Sequence, residues 1–141
     1  MIITSDQIRK ILNKKWPDLK FIWPTNPNWT PISDVWISRI VQNCSVRGFE
    51  FVEGIWECEN YTHQWKANVE RFQYELFKSG EYQPQWRWPV AKCLGFDSDI
   101  FMNMGTHSLN LLITERDAVL FEPQEDKILT DSAYQPFFME F

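Results

Sequence analysis

The chain reads as an α+β fold, with N-terminal helices and one long central helix packed on an antiparallel β-sheet. Three observations predict it. Tyr61, Trp65, Val69, Phe72 and Leu76 recur at spacings of four, four, three and four, which is one apolar face of a helix of about five or six turns. Leu109, Leu111 and Ile113 alternate with Ser108, Asn110 and Thr114, and Ala118 to Phe121 is a second short strand after the polar turn Glu115-Arg116-Asp117. That is a hairpin of half-buried strands, broken in its alternation only by Leu112. Near the start, Thr4-Ser-Asp-Gln7 is a capping-box pattern with the stripe Ile8, Ile11 and Leu12 behind it. At 141 residues, with no linker-like stretch, one domain spanning 1–141 is expected.

The first helix is expected from about Ser5 to Lys14, and Leu19 to Trp23 as an extended segment. Trp23-Pro-Thr-Asn-Pro-Asn-Trp-Thr-Pro31 cannot continue a helix, because a residue before proline avoids the helical region. Thr30-Pro31 reads as a cap followed by proline at the first helical position, opening a second helix through Ile32, Val35, Trp36 and Ile40 to about Asn43. The long helix begins near Cys58 and ends at Lys78-Ser-Gly80, a cation in the last turn and a glycine able to take positive φ. A second proline and tryptophan segment, Tyr82 to Pro89, precedes a strand over Pro89 to Phe96. Asp97-Ser-Asp99 reads as a turn, Phe101 to Gly105 leads into the hairpin, and the apolar tail to Phe141 docks as a terminal strand.

Composition sets limits on function. A net charge of -5 with no Lys/Arg cluster argues against a nucleic-acid partner. No run of about 18 apolar residues points to a membrane span. The N-terminus lacks the basic and apolar regions of a signal peptide, so the expected location is the cytoplasm unless the chain is a fragment trimmed of its signal. The patterns at Asn28, Asn43 and Asn60 then read as chance glycosylation matches. Three cysteines, Cys44, Cys58 and Cys93, are an odd number without C-x-x-C spacing, which disfavours a disulfide framework or a zinc knuckle.

The chemistry-bearing pattern is Cys58 at the start of the long helix, His107 before the hairpin and Glu122 after it. A helix N-terminus favours a thiolate, an imidazole can hold its proton, and a carboxylate can orient that imidazole. If the two-residue turn is Glu115-Arg116 or Arg116-Asp117, the register puts His107 and Glu122 on one sheet face; a bulge would change that. His63 falls about 500° around the same helix from Cys58 and reads as a surface residue. Cys44 and Cys93 read as core thiols.

The motifs Trp56-Glu-Cys-Glu-Asn-Tyr61, His107-Ser-Leu-Asn110 and Phe121-Glu-Pro-Gln124 resemble the papain-like cysteine peptidase fold, and within it the C-terminal domain of Marasmius oreades agglutinin and related phage and bacterial proteins. The resemblance spans roughly Trp56 to Ile128. It implies Cys58 as nucleophile, His107 as general base and acid, Glu122 as the group orienting His107, and Gln124 as a further residue polarising a substrate carbonyl or shaping the site. It also implies a protein or peptide substrate, and possible calcium dependence. Asp97, Asp99, Asp117 and Asp126 are loop acids of the right type, unmatched to any ligand set. Two functions follow: a small thiol hydrolase, or a catalytically silent binding module that engages a protein or glycan through its Trp/Pro-rich loops, Trp23 to Trp29 and Trp86 to Trp88.

Overall fold

The computed structural model describes residues 1–97, 106–130 and 133–141. In chain order it contains β1 (Ile3–Thr4), α1 (Ser5–Lys15), β2 (Phe21–Trp23), β3 (Asn28–Trp29), α2 (Asp34–Asn43), α3 (Cys58–Ser79), β4 (Val90–Asp97), β5 (Thr106–Ile113), β6 (Ala118–Glu122), β7 (Lys127–Leu129) and β8 (Tyr134–Glu140). The turn expected at 97–99 falls largely outside the described residues, as does the whole of the 101–105 lead-in.

The helix ends follow from the capping chemistry. Thr4 Oγ1 accepts from Gln7 N–H at 3.2 Å while Gln7 Oε1 accepts from Thr4 N–H at 2.7 Å, closing the box ahead of α1. At the far end of α3, Gly80 takes φ 76°, a left-handed conformation that stops the helix without a Cβ penalty. The second helix starts later than Pro31. Ile32 N–H donates to Ile113 O at 3.0 Å, so this stretch is tied to the end of β5 and helical bonding begins only at Asp34.

The expected antiparallel sheet under a helical layer is corrected. Among the described residues eight strands outnumber three helices, and the main sheet has six strands in the order β2-β8-β4-β5-β6-β7, beside a two-stranded β1-β3 ribbon. It is mixed, because Phe21 to Trp23 run parallel to Phe138 to Glu140. The C-terminal strand lies inside the sheet, paired on one side with β2 and on the other with β4. Both faces are covered, which explains Leu112. Leu109, Leu111 and Ile113 join α1 residues Ile8 and Leu12 in one buried cluster, whereas Leu112 and Phe121 join Trp65 and Val69 of α3 and Ile40 of α2 in the other. Trp65 lies flat on Phe121, ring centroids 4.4 Å apart, and this contact seats α3 on the sheet.

Candidate functional site

Cys58 is the first residue of α3 and half-buried. The turn before it is fixed by side chains: Glu57 N–H donates to Asn60 Oδ1 at 2.9 Å and Gly54 N–H donates to Glu57 Oε1 at 2.8 Å. The sulfur therefore sits where unpaired helical N–H groups favour negative charge. His107 and Glu122 come from the two strands of the hairpin. Thr114 N–H donates to Asp117 O, so Glu115-Arg116 is the turn, and the paired residues run from Ile113↔Ala118 out to Asn110↔Phe121. Past that pair the two strands carry the ring and the carboxylate, and His107 Nε2 meets Glu122 Oε2 at 2.5 Å. With Nε2 engaged there, Nδ1 is the nitrogen left to face Cys58, whose thiol lies in hydrogen-bonding reach of the His107 ring.

The electrostatics are those of an ion pair. The hydrogen bond from His107 is the main reason the Cys58 thiol is held below the ordinary value of 9.0; burial opposes it, and the backbone N–H of Ser108 assists. Cys58 in turn, then Glu122, raise His107 to about 10. Both shifts favour the charged forms, an anionic sulfur beside a cationic ring. Glu122 is only 8% exposed, and its second oxygen accepts from Gln124 N–H at 3.0 Å. Gln124 thus meets the group through its backbone.

Two positioning residues had no signal in the sequence. Tyr134 Oη donates to His107 O at 2.8 Å, bracing the strand that carries the imidazole. Gly95, paired with His107, makes room for it: a Cβ there would stand 2.6 Å from Gln135 O and 2.7 Å from Tyr134 Cζ. The remaining candidates lie elsewhere. Cys44 and Cys93 are buried, and burial raises Cys44 to about 12 and Cys93 further still. His63 is exposed and meets Lys92 Nζ at 2.9 Å. Two of the loop acids pair with separate cations. Asp117 pairs with Lys15 and Asp126 with Arg47, Asp99 is outside the described residues, and no cluster of three His, Cys, Asp or Glu suited to a metal occurs among those described. No helix among the described residues is long and apolar enough to cross a membrane.

The two Trp/Pro segments pack on each other. Thr30 N–H donates to Arg87 O at 3.1 Å, Trp86 N–H donates to Thr30 Oγ1 at 3.0 Å, and the Arg87 guanidinium covers the Trp29 ring at 4.9 Å. Trp29 and Trp88 are buried, at 1% and 3% exposure, whereas Trp23 and Trp86 reach solvent at 62% and 38%. Trp86 overlooks a groove of about 490 Å³ lined also by Tyr74, Phe77, Gln73, Asn26 and Arg87.

No protein-family model and no curated protein matches the chain. Solved structures do. One, described as a PSL1a–E64 complex, superposes with a TM-score of 0.77 at 20% identity over 99% of this chain and 51% of the other. A second is Polyporus squamosus lectin bound to a human-type influenza-binding epitope, Neu5Acα2-6Galβ1-4GlcNAc, with a TM-score of 0.76 at 19% identity, over 99% of this chain and 49% of the lectin. The chain thus spans about half the length of these proteins. These neighbours correct the papain-like peptidase assignment and the thiol-hydrolase reading built on it. Three short motifs carried that assignment, and a thiol, a ring and an acid in sequence order specify neither a peptidase scaffold nor a substrate. What the superposition establishes is a fold shared with half of a Polyporus squamosus lectin.

Proposed function

We propose that this chain is a binding module whose ligand is a glycan, held in the groove beside Trp86. The carrying observation is the indole itself. Trp86 is anchored through its backbone, its N–H to Thr30 Oγ1 at 3.0 Å and its C=O to Gln73 Nε2 at 3.5 Å, while 38% of the residue stays open to solvent above the groove. A fixed aromatic face stacks on the apolar face of a sugar ring at little entropic cost. Asn26 and Arg87 at the same groove supply polar groups for hydroxyls or a carboxylate. The trisaccharide in the lectin complex is the first ligand to test. Titration followed by tryptophan fluorescence is expected to saturate, and Trp86→Ala to weaken binding about tenfold, as loss of one stacking contact does. A glycan panel with no binder, or a Trp86→Ala variant that binds unchanged, removes this reading.

A second reading rests on the 2.5 Å contact between His107 and Glu122. We infer that Cys58 is a nucleophilic thiol, with His107 as its proton partner and Glu122, steadied by the Gln124 backbone, as the brace for the ring. Iodoacetamide, with adducts located by peptide mass spectrometry, is expected to label Cys58 far ahead of Cys44 and Cys93. Equal labelling of all three in the folded chain sinks it. E64, the compound named with one structural neighbour, is a second probe of the same sulfur.

A further inference from the structure

Ser108 follows His107 on β5 and is fully buried. A buried hydroxyl ordinarily has a partner, because leaving one unpaired costs about 1–3 kcal/mol. Ser108 Oγ makes no hydrogen bond of good geometry among the described residues, though it stands near enough to the Cys58 sulfur to contribute, weakly, to holding that thiol down. Its place in the fold suggests why. Ser108, Asn110 and Leu112 alternate onto the face of the sheet that lies under α3, and Asn110 Nδ2 donates to Thr62 O on that helix at 3.0 Å. Moving back two residues along β5 covers about 7 Å. Moving back four residues along α3 covers about 6 Å. Those steps lead from Asn110 to Ser108 and from Thr62 to Cys58. The helix and the strand therefore bring the hydroxyl and the sulfur to the same point, and the backbone N–H of Ser108 already lies in hydrogen-bonding reach of that sulfur.

We propose that the Ser108 hydroxyl is a dedicated donor to the Cys58 thiolate: it turns onto the sulfur when the thiol loses its proton, and is left without a partner when the thiol is protonated. The inference deepens the thiol reading above and rests on it. The hydroxyl then acts as a third donor, with the Ser108 N–H and the His107 ring, and the thiolate is held by a fixed cradle rather than by water.

The test is the pH dependence of iodoacetamide labelling at Cys58 in the full chain, with the buried Cys44 and Cys93 reporting that the fold is intact. Ser108→Ala is expected to move the midpoint up by about one pH unit and slow labelling at pH 6 about tenfold, with the high-pH rate unchanged, since a one-unit shift is a tenfold change in thiolate fraction. Ser108→Thr keeps the hydroxyl and is expected to hold the wild-type midpoint, which carries the test should the alanine variant fail to fold. An alanine midpoint equal to wild type, or a threonine midpoint shifted as far as that of alanine, overturns the proposal. A wild-type midpoint at the ordinary thiol value overturns the thiol reading itself, and this proposal with it.

Discussion

The two ends of α3 serve opposite kinds of chemistry. At its start, Cys58 faces a ring and a carboxylate that are nearly out of solvent, side-chain exposures of 16% and 11%, and charge is stabilised because few waters compete. In its second half, Gln73, Tyr74 and Phe77 border a groove whose aromatic faces stay wet, Tyr74 at 62% and Phe77 at 48% exposure. Polarity there is supplied by side chains already engaged, such as Gln73, which accepts from Trp88 N–H at 3.0 Å. One helix thus carries a charge-stabilising pocket and an open stacking surface. The difference teaches that exposure, more than residue type, separates a candidate reactive group from a candidate recognition surface. The three cysteines repeat the lesson, since burial is the main cause that pushes Cys44 up and the whole cause for Cys93, while Cys58, half-buried with partners, is held down.

That contrast can be broken in several places. The largest effect belongs to the element both ends share: Trp65→Ala removes a fully buried ring stacked on Phe121, and urea unfolding is expected to register a loss of about 4 kcal/mol. Next comes His107→Ala, which takes away the main partner of the thiol. Labelling of Cys58 at pH 6 is expected to fall about 100-fold, equivalent to about 2.7 kcal/mol, while glycan titration stays as it was. Gly95→Ala forces a Cβ against the Gln135 carbonyl; overpacking of this kind costs about 2 kcal/mol. The variant is also expected to slow Cys58, because the same crowding displaces Tyr134 from His107. The smallest change is Trp86→Ala, about 1.4 kcal/mol in glycan affinity, with a melting temperature near wild type and labelling of Cys58 unaltered. If that variant alters the thiol instead, the two ends are one site and the comparison fails.

Local chemistry was legible in the sequence and long-range pairing was not. The capping box at Thr4, the repeat from Tyr61 to Leu76 and the glycine stop at Gly80 all depend on residues a few positions apart and are found as read, and of the two turns the sequence left open Glu115-Arg116 is the one that forms. The hairpin register followed from that turn, and so His107 and Glu122 meet. The parallel pairing of Phe21 with Phe138 left no mark in either segment, since a three-residue strand carries no sign of its partner or direction. Tyr134 and Gly95 were missed for the same reason, because their role exists only once β8 lies beside β4. The Trp/Pro segments carried the right residues without revealing which rings are buried, a division set by Thr30 and Arg87 across the chain. Short motifs led furthest astray. They named a peptidase scaffold, where the sheet is mixed and its likeness is to part of a lectin.

The interior position of β8 has a kinetic consequence. Until residues 134 to 140 arrive β2 has no partner and β4 is paired on its β5 side alone, and Phe21 must then find a partner 117 positions away (138−21). Closing so long a loop is an entropic toll met before the contacts repay it, so collapse of this sheet belongs to the slow, non-local class. Any chain stopped short of Tyr134 exposes two bare strand edges to its neighbours, an invitation to aggregate.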